Sequence, residues 1–149
     1  MKQTQTSADY TAILSEITST PVEDITPENY DHYGLQVFDC DGAEYAIGND
    51  EECDRAAADN IRDSVWAFTG WFIADHAPEG LTAEDIDALR GDKCESANDA
   101  LIALIEAGQG MDSFIDGATS TDGRGHFLSH YDGEELEDSN ANHFAYRIN

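Results

Sequence analysis

The sequence LQVFDCDGAEYAI, at residues 35–47, decides the fold. Two runs of alternating residues flank an Asp-Gly pair at Asp41 and Gly42, and this arrangement is the strongest short-range signal for a β-hairpin. The stretch therefore predicts a small antiparallel sheet in the first third of the chain. The side chains expected to point inward are Leu35, Val37, Tyr45 and Ile47.

A helix and a loop are predicted before the hairpin. Apolar residues at i, i+3, i+4 and i+7 within residues 8–17 are typical of a short amphipathic helix, which Ser7 would cap. Residues 1–6 are polar, and we expect them to be frayed. Pro21 and Pro27 favour a loop between this helix and the hairpin.

A long helix is predicted directly after the hairpin, from Asn49 to about His76. Asn49 is a good N-cap, and the three acidic residues that follow it suit the positive end of the helix dipole. Apolar residues at helical spacing would bury one side of this helix. They are Ala57, Ile61, Val65, Phe68 and Phe72.

Two shorter helices are predicted after this one. Thr82 begins the first with a capping-box pattern, and Ile86 and Leu89 would form its apolar side. Ser96 would cap the second, and Gly108 would end it. Both helices are expected to pack on the sheet.

The C-terminal third predicts a further helical turn and two strands. Apolar residues at 111–115 indicate the turn, and the glycines and small polar residues at 117–125 favour a flexible loop. Residues 126–128 and 143–148 are expected to be strands, joined by the acidic stretch 131–138.

Together these elements predict an α+β fold: one long central helix and two or three shorter helices on a small antiparallel sheet, which the Asp-Gly hairpin and the C-terminal strands form. The 149 residues suffice for one domain, and a hydrophobic content of 40% is too high for wholesale disorder. We therefore expect a single globular domain over residues 1–149.

Simple sequence features also predict the cellular location. No run of apolar residues is long enough for a transmembrane helix, and the first residues lack the apolar run of a secretory signal, so a cytoplasmic location is expected. The three cysteines form no CxxC pair and are expected to be reduced.

Charge is the most unusual property of the chain. Seven basic residues stand against 32 acidic ones, for a net charge of −25. Direct binding to nucleic acid or to an anionic membrane is excluded, because Lys and Arg hold those partners. The acids are spread over the whole chain and form no detachable tail. Solubility alone needs a net charge of magnitude only about 2–8 in a small domain, which −25 exceeds. Adaptation to molar salt or a strongly basic partner would each explain the larger charge.

One segment, residues 123–133, carries the residue types of a catalytic or metal site. His126 and His130 lie four apart, with Asp132 or His143 as further metal ligands. In a strand, however, residues four apart are separated by about 13 Å, which is too far for one ion. No nucleotide-binding glycine motif is present, and no cofactor is predicted. A small enzyme or metal-binding protein that uses His126–Asp132 stays an alternative.

The C-terminal part resembles a family of small acidic phage and prophage proteins with no assigned activity. The resemblance rests on GRGHFLS at 123–129, YDGEE at 131–135 and YRIN at 146–149, together with residues 60–68. It implies a setting of host takeover or counter-defence and brings no catalytic residues.

In that setting a compact acidic protein resembles the DNA-mimic inhibitors of restriction enzymes, CRISPR effectors and nucleoid proteins. Carboxylates at i and i+4 on a helix lie about 6 Å apart, near the spacing of successive phosphates. The leading hypothesis is therefore an inhibitor in the host cytoplasm that covers a basic nucleic-acid-binding surface of a host protein. A salt-adapted accessory protein is an alternative, and a homodimer stays open. The predicted partner-binding residues are Asp50, Asp54, Asp59, Asp63, Asp132, Glu134, Glu135, Glu137 and Asp138.

Overall fold

A computed structural model describes residues 7–149, with side chains from Tyr10 onward. The expected fraying of residues 1–6 and the capping side chain of Ser7 lie outside it. The described chain groups into two compact units. We call residues 7–57 with 124–149 the sheet unit, and residues 58–123 the helical unit. The predicted α+β class is confirmed.

The described chain contains seven α-helices. Three short 3-10 segments, at Val22–Asp24, Val65–Ala67 and Cys94–Ala97, lie between them. No helix in this part of the chain is long and apolar enough to cross a membrane. The helices are α1 (Ser7–Thr18), α2 (Asp50–Asp63), α3 (Gly70–His76), α4 (Ala83–Arg90), α5 (Asn98–Ala107), α6 (Met111–Asp122) and α7 (Arg124–Leu128).

The sheet is antiparallel, with the strand order β1-β2-β3-β5-β4. The predicted hairpin is confirmed as β2 and β3, and the predicted final strand as β5. The strands are β1 (Ile25–His32), β2 (Leu35–Cys40), β3 (Ala43–Asn49), β4 (Leu136–Glu137) and β5 (His143–Arg147).

The hairpin turn fixes a register that differs from the predicted one. Asp41 and Gly42 both have positive φ angles, 56° and 96°, as a two-residue hairpin turn requires. Val37 therefore pairs with Ala46, and directly opposite residues share a face of the sheet. The prediction of one inward face was wrong, because Tyr45 and Ile47 lie on the face opposite Val37 and Leu35.

Both faces of the sheet are covered within the sheet unit. On one face, Val37 and Tyr146 pack against Cys53 and Ala56 of α2 and against Leu128 of α7. On the other face, α1 packs against the sheet through its two buried side chains. The buried residues of that second cluster are Tyr10, Leu14, Ile25, Phe38, Cys40, Ile47 and Ala145.

Strand β1 corrects the predicted loop around Pro27. A second two-residue turn, Tyr33-Gly34 with φ angles of 51° and 86°, joins β1 to β2. The Gly34 N–H donates to the Asp31 carboxylate at 2.8 Å. The register shifts between Pro27 and Asp31, and β1 is an edge strand, which is where a proline and a bulge are tolerated. These interruptions hid the strand from pattern analysis.

The predicted long helix is broken, because α2 ends at Asp63 and α3 begins at Gly70. Side chains from elsewhere in the helical unit satisfy the backbone at the break. Asn98 Nδ2 donates to the Arg62 carbonyl at 2.7 Å, and Asn98 Oδ1 accepts from the Trp66 N–H at 3.0 Å. Arg90 donates to the Trp66 and Phe68 carbonyls. Since buried backbone groups need partners, these contacts stabilise the break.

The prediction of a flexible loop at 117–125 and a strand at 126–128 was wrong. Helix α6 extends from Met111 through Asp122, and Gly123, with φ of 83°, separates it from α7. Ala118 is fully buried, and Gly117 lies against the Phe72 and His76 rings. Small residues that resemble a loop in sequence therefore serve close packing here.

The remaining helix starts are partly as predicted. The capping box at Thr82 is present, and Gly108 follows the end of α5 as expected. Ser96 lies in a 3-10 segment, and α5 begins at Asn98. Leu89, predicted to face the core, is exposed, whereas Ile86 is buried.

Candidate acidic interface

Arg124, at the start of α7, gathers three of the predicted partner-binding carboxylates in the sheet unit. Its Nη1 donates to Asp50 Oδ1 at 2.8 Å and to Asp54 Oδ1 at 2.9 Å, and its Nε donates to Glu135 Oε1 at 2.8 Å. The Arg124 side chain is only 13% exposed, whereas Asp50 and Asp54 are mostly in water. One largely buried guanidinium thus links the first turns of α2 to the loop before β4.

The surroundings of Arg124 complete this charged cluster. The guanidinium lies over the Phe144 ring, 4.6 Å from its centroid, and the Tyr146 hydroxyl donates to Glu135. Burial alone would lower the pKa of Arg124, but the Glu135 hydrogen bond and the nearby acids raise it above its usual value. Burial also raises the pKa of Tyr146. Arg124 therefore stays charged and holds these acids in place.

Asp138 is a fourth predicted partner-binding residue that makes internal contacts. Its side chain is buried and accepts hydrogen bonds from the Asn142 N–H at 2.9 Å and from His143 Nδ1 at 3.1 Å. Burial opposes the charge, but these hydrogen bonds hold the pKa of Asp138 below its usual value. Its carboxylate thus stabilises the turn before β5 and contributes little to the surface.

The other acids of the C-terminal loop are exposed. Asp132 accepts the Glu134 N–H at 3.0 Å and lies 3.0 Å from the Ser129 hydroxyl, so it orders its own turn. Glu134 and Glu137 are exposed and form no ion pair among the described residues.

Further acids of the sheet unit cap helices and turns. Asn49 Oδ1 accepts the Glu52 N–H at 2.8 Å, and Glu52 Oε1 accepts the Asn49 N–H at 2.9 Å, which makes a reciprocal capping box. Tyr10 donates to the same Glu52 oxygen at 3.1 Å. Sequence reasoning identified Asn49 and missed Glu52, although the spacing of three residues was visible. Asp31 and Asp39 bind the backbone of the two hairpin turns.

The helical unit has a different distribution of charge. It carries fourteen acidic and three basic residues, a net charge of −11. Every one of its acids is exposed, and Asp87, which pairs with Arg90 at 2.7 Å, is the one that forms an ion pair within the described chain. The fourteen are Asp59, Asp63, Asp75, Glu79, Glu84, Asp85, Asp87, Asp92, Glu95, Asp99, Glu106, Asp112, Asp116 and Asp122.

Two helices of this unit present carboxylates at i and i+4. Asp59 and Asp63 lie on α2, as the sequence predicted. Asp112 and Asp116 lie on α6 and were not predicted, because the length of α6 was underestimated. Recognising Gly117 and Ala118 as packing residues would have revealed the second pair. Each pair places its Cβ atoms about 6 Å apart.

The two histidines of the segment 123–133 do not come together on one helix face. His126 is exposed on α7, and His130 lies beyond the end of that helix, so they share no helix face. The His130 ring instead contacts His32, with 4.9 Å between centroids. His32 Nε2 lies 2.9 Å from the Leu128 carbonyl oxygen. Burial lowers the pKa of His32. No group of three or more metal-ligating side chains occurs within residues that the structure describes.

A cavity of about 390 Å³ lies in the sheet unit, where the bulge of β1 opens the ladder to β2. Residues 27–31 and 36–38 line it, and they include neither a histidine nor a cysteine. The lining of this cavity therefore contains no Cys–His pair. The exposed carboxylates of the helical unit remain the strongest candidate for a functional surface.

Comparison with protein-family models, curated protein sequences and solved structures gives no match.

Proposed function

We propose that this protein is a non-enzymatic acidic inhibitor that covers a basic nucleic-acid-binding surface of another protein, as a DNA mimic does. One observation carries the proposal: all fourteen carboxylates of the helical unit are exposed, and a single one has an ion-pair partner in the described chain. A basic partner would supply the missing positive charge.

The electrostatic cost of this surface supports a binding role. Like charges at i and i+4 destabilise a helix by roughly 0.2–0.5 kcal/mol for each pair. In the sheet unit, comparable acids bind Arg124 or cap turns and so contribute to folding. In the helical unit, Asp59, Asp63, Asp112 and Asp116 have no such contact among the described residues. A surface that costs stability and serves no internal contact suits an external partner.

The proposal shifts the predicted interface towards the helical unit. Asp59 and Asp63 stay in it, and Asp112 and Asp116 join them. Asp50, Asp54 and Glu135 are bound to Arg124, and Asp138 is buried, so we leave them out of the proposed interface. Asp132, Glu134 and Glu137 belong to the sheet unit and are left out as well. The counter-defence setting and the host cytoplasm belong to the same proposal, and they rest on the resemblance to phage proteins inferred from the sequence.

The experiment compares two charge reversals that change the net charge equally. Asp112→Lys with Asp116→Lys alters the helical unit, and Glu134→Lys with Glu137→Lys is the matched control in the sheet unit. Each variant is immobilised, incubated with bacterial lysate at low salt and eluted with duplex DNA. We expect the wild type and the control to release nucleic-acid-binding proteins when DNA is added, and the helical-unit variant to retain far less.

Two results would contradict the proposal. One is that DNA displaces nothing from the wild type. The other is that both reversals lower binding equally, because the total charge and not the helical unit would then determine binding.

A salt-adapted accessory protein is the second candidate, favoured by a chain with 32 acids and only two lysines, Lys2 and Lys93.

A further inference from the structure

We infer that Trp71 of the helical unit is the anchor that receives an arginine side chain of the basic partner. This inference rests on the proposed function and adds a specific residue and ligand to it. Trp71 is 60% exposed, more than any other large hydrophobic residue in the described chain. Tryptophan is among the residues that most often dominate binding energy at interfaces.

The inner rings of the helical unit hold Trp71 in place. Trp71 meets Phe72 edge to face, with 5.9 Å between centroids. Phe72 in turn stacks on Phe68 at 5.6 Å and packs against Phe114 at 4.9 Å. Trp71 is therefore the outermost ring of an aromatic cluster, and its removal leaves the inner rings in contact.

Carboxylates border the exposed indole. Asp75, one turn along α3, is exposed and would lie about 6 Å from Trp71 between Cβ atoms. Asp87 of α4 comes close to Gly70, since a Cβ added at Gly70 would be 2.7 Å from Asp87 Oδ1, but Arg90 already pairs with this carboxylate. Asp75 is therefore the unpaired carboxylate beside the indole, on a unit with a net charge of −11.

No cation covers Trp71 among the described residues, whereas the comparable ring of Tyr131 has one. Tyr131 is 57% exposed, and the Arg147 guanidinium lies 3.7 Å from its centroid. The Arg124 guanidinium lies over Phe144 in the same way. An exposed indole beside carboxylates offers this arrangement to an arginine from outside the chain.

Arginine suits this surface better than lysine does. A planar guanidinium stacks on an aromatic face and bonds a carboxylate with its N–H groups at the same time. A lysine ammonium is a compact, strongly hydrated charge that satisfies only the electrostatic part. Arginine is also abundant on the nucleic-acid-binding surfaces that the proposed function addresses.

The test uses two synthetic peptides of equal length and charge, six Arg-Gly repeats and six Lys-Gly repeats, titrated into the intact protein by calorimetry at low salt. We expect the wild type to prefer the arginine peptide by about two- to fivefold, as an exposed cation–π contact provides. Trp71→Ala should abolish the preference and leave the salt dependence unchanged, because it removes no charge. Trp71→Phe should keep part of the preference.

Tyr30→Ala is the matched control, since it removes an exposed ring, 45% exposed, from the sheet unit. It should keep the full preference. Equal affinity of the wild type for both peptides, an unchanged preference in Trp71→Ala, or the same loss in Tyr30→Ala would overturn the inference. The proposed function fails separately, when DNA displaces nothing in the lysate experiment, whatever the peptides show.

Discussion

Replacing Arg124 by Met should selectively destabilise the sheet unit. The substitution keeps an unbranched apolar side chain over Phe144 and removes the only positive group that contacts Asp50, Asp54 and Glu135 among the described residues. Three carboxylates that now share one cation would then repel one another. The net charge of the chain becomes more negative by one.

The magnitude follows from the exposure of each partner. The bond to Glu135, 31% exposed, contributes about 1.5–3 kcal/mol, as hydrogen bonds to charged groups do. The pairs with Asp50 and Asp54, 72% and 67% exposed, contribute about 0.2–1 kcal/mol each. The contact with Phe144 adds roughly 0.5–2 kcal/mol. Because neighbouring contributions do not add fully, we expect a loss of about 3 kcal/mol in the free energy of unfolding.

Amide hydrogen exchange along the β3–β5 ladder measures this loss where it should occur. A loss of about 3 kcal/mol lowers protection roughly a hundredfold, since each 1.4 kcal/mol is a factor of ten. Tryptophan fluorescence cannot replace this measurement, because Trp66 and Trp71 both lie in the helical unit. Arg124→Lys should give an intermediate loss, since it keeps the charge and lacks the planar fork of donors.

Arg55→Met is the matched control, because it removes an exposed arginine from α2 of the same unit. An exposed substitution should change stability by no more than about 0.5 kcal/mol. A loss below about 1 kcal/mol for Arg124→Met would refute the assigned structural role of the cluster. An equal loss for Arg55→Met would refute it as well, because net charge alone would then explain the effect.

Three further predictions follow from the charge distribution and the histidines. The melting temperature should rise only modestly as salt screens the acids, and a chain that folds only in molar salt would instead establish the salt-adapted alternative. The pKa of Asp138 in the folded protein lies below the unfolded value of 3.8, so the ionised carboxylate stabilises the fold fully above pH 3.8. This stabilisation is lost as the pH falls through the lowered pKa. Asp138→Asn should therefore flatten the acid side of a stability–pH curve from urea titrations, and an unchanged curve would contradict the role of this carboxylate. Replacing His126 and His130 with Ala should leave the metal content by mass spectrometry unchanged, whereas zinc lost in the double variant would support the metal-binding alternative.

Local signals predicted the hairpin, and turn geometry explains why the register was missed. A two-residue turn at Asp41-Gly42 pairs Val37 with Ala46, a consequence that the turn length already implies. The alternating residues of the two strands were instead assigned to a sheet of which only one face is buried. Helices on both faces make that assumption fail, since residues on either side of β2 are buried.

Long-range contacts explain the elements that pattern analysis could not find. The break after Asp63 depends on Asn98 and Arg90, which come from distant helices. The apolar spacing continues through the break, so periodicity alone predicts one helix. Arg124 lies 74 positions from Asp50, and no local motif marks it as the centre of a cluster.

The same residue type thus has two physical roles in this chain. A carboxylate beside Arg124 or at a turn is partly neutralised or hydrogen-bonded, so its removal costs stability. A carboxylate such as Asp116 is exposed and forms no ion pair in the described chain, and its removal should relieve repulsion with Asp112 one turn away. Folding alone gives no reason for a surface of the second kind. The acids of the helical unit that form no internal contact, such as Asp59, Asp63, Asp112 and Asp116, are the ones that the proposed partner or salt adaptation would explain. The exposed Trp71 of the same unit favours the proposed partner, because salt adaptation requires no exposed indole.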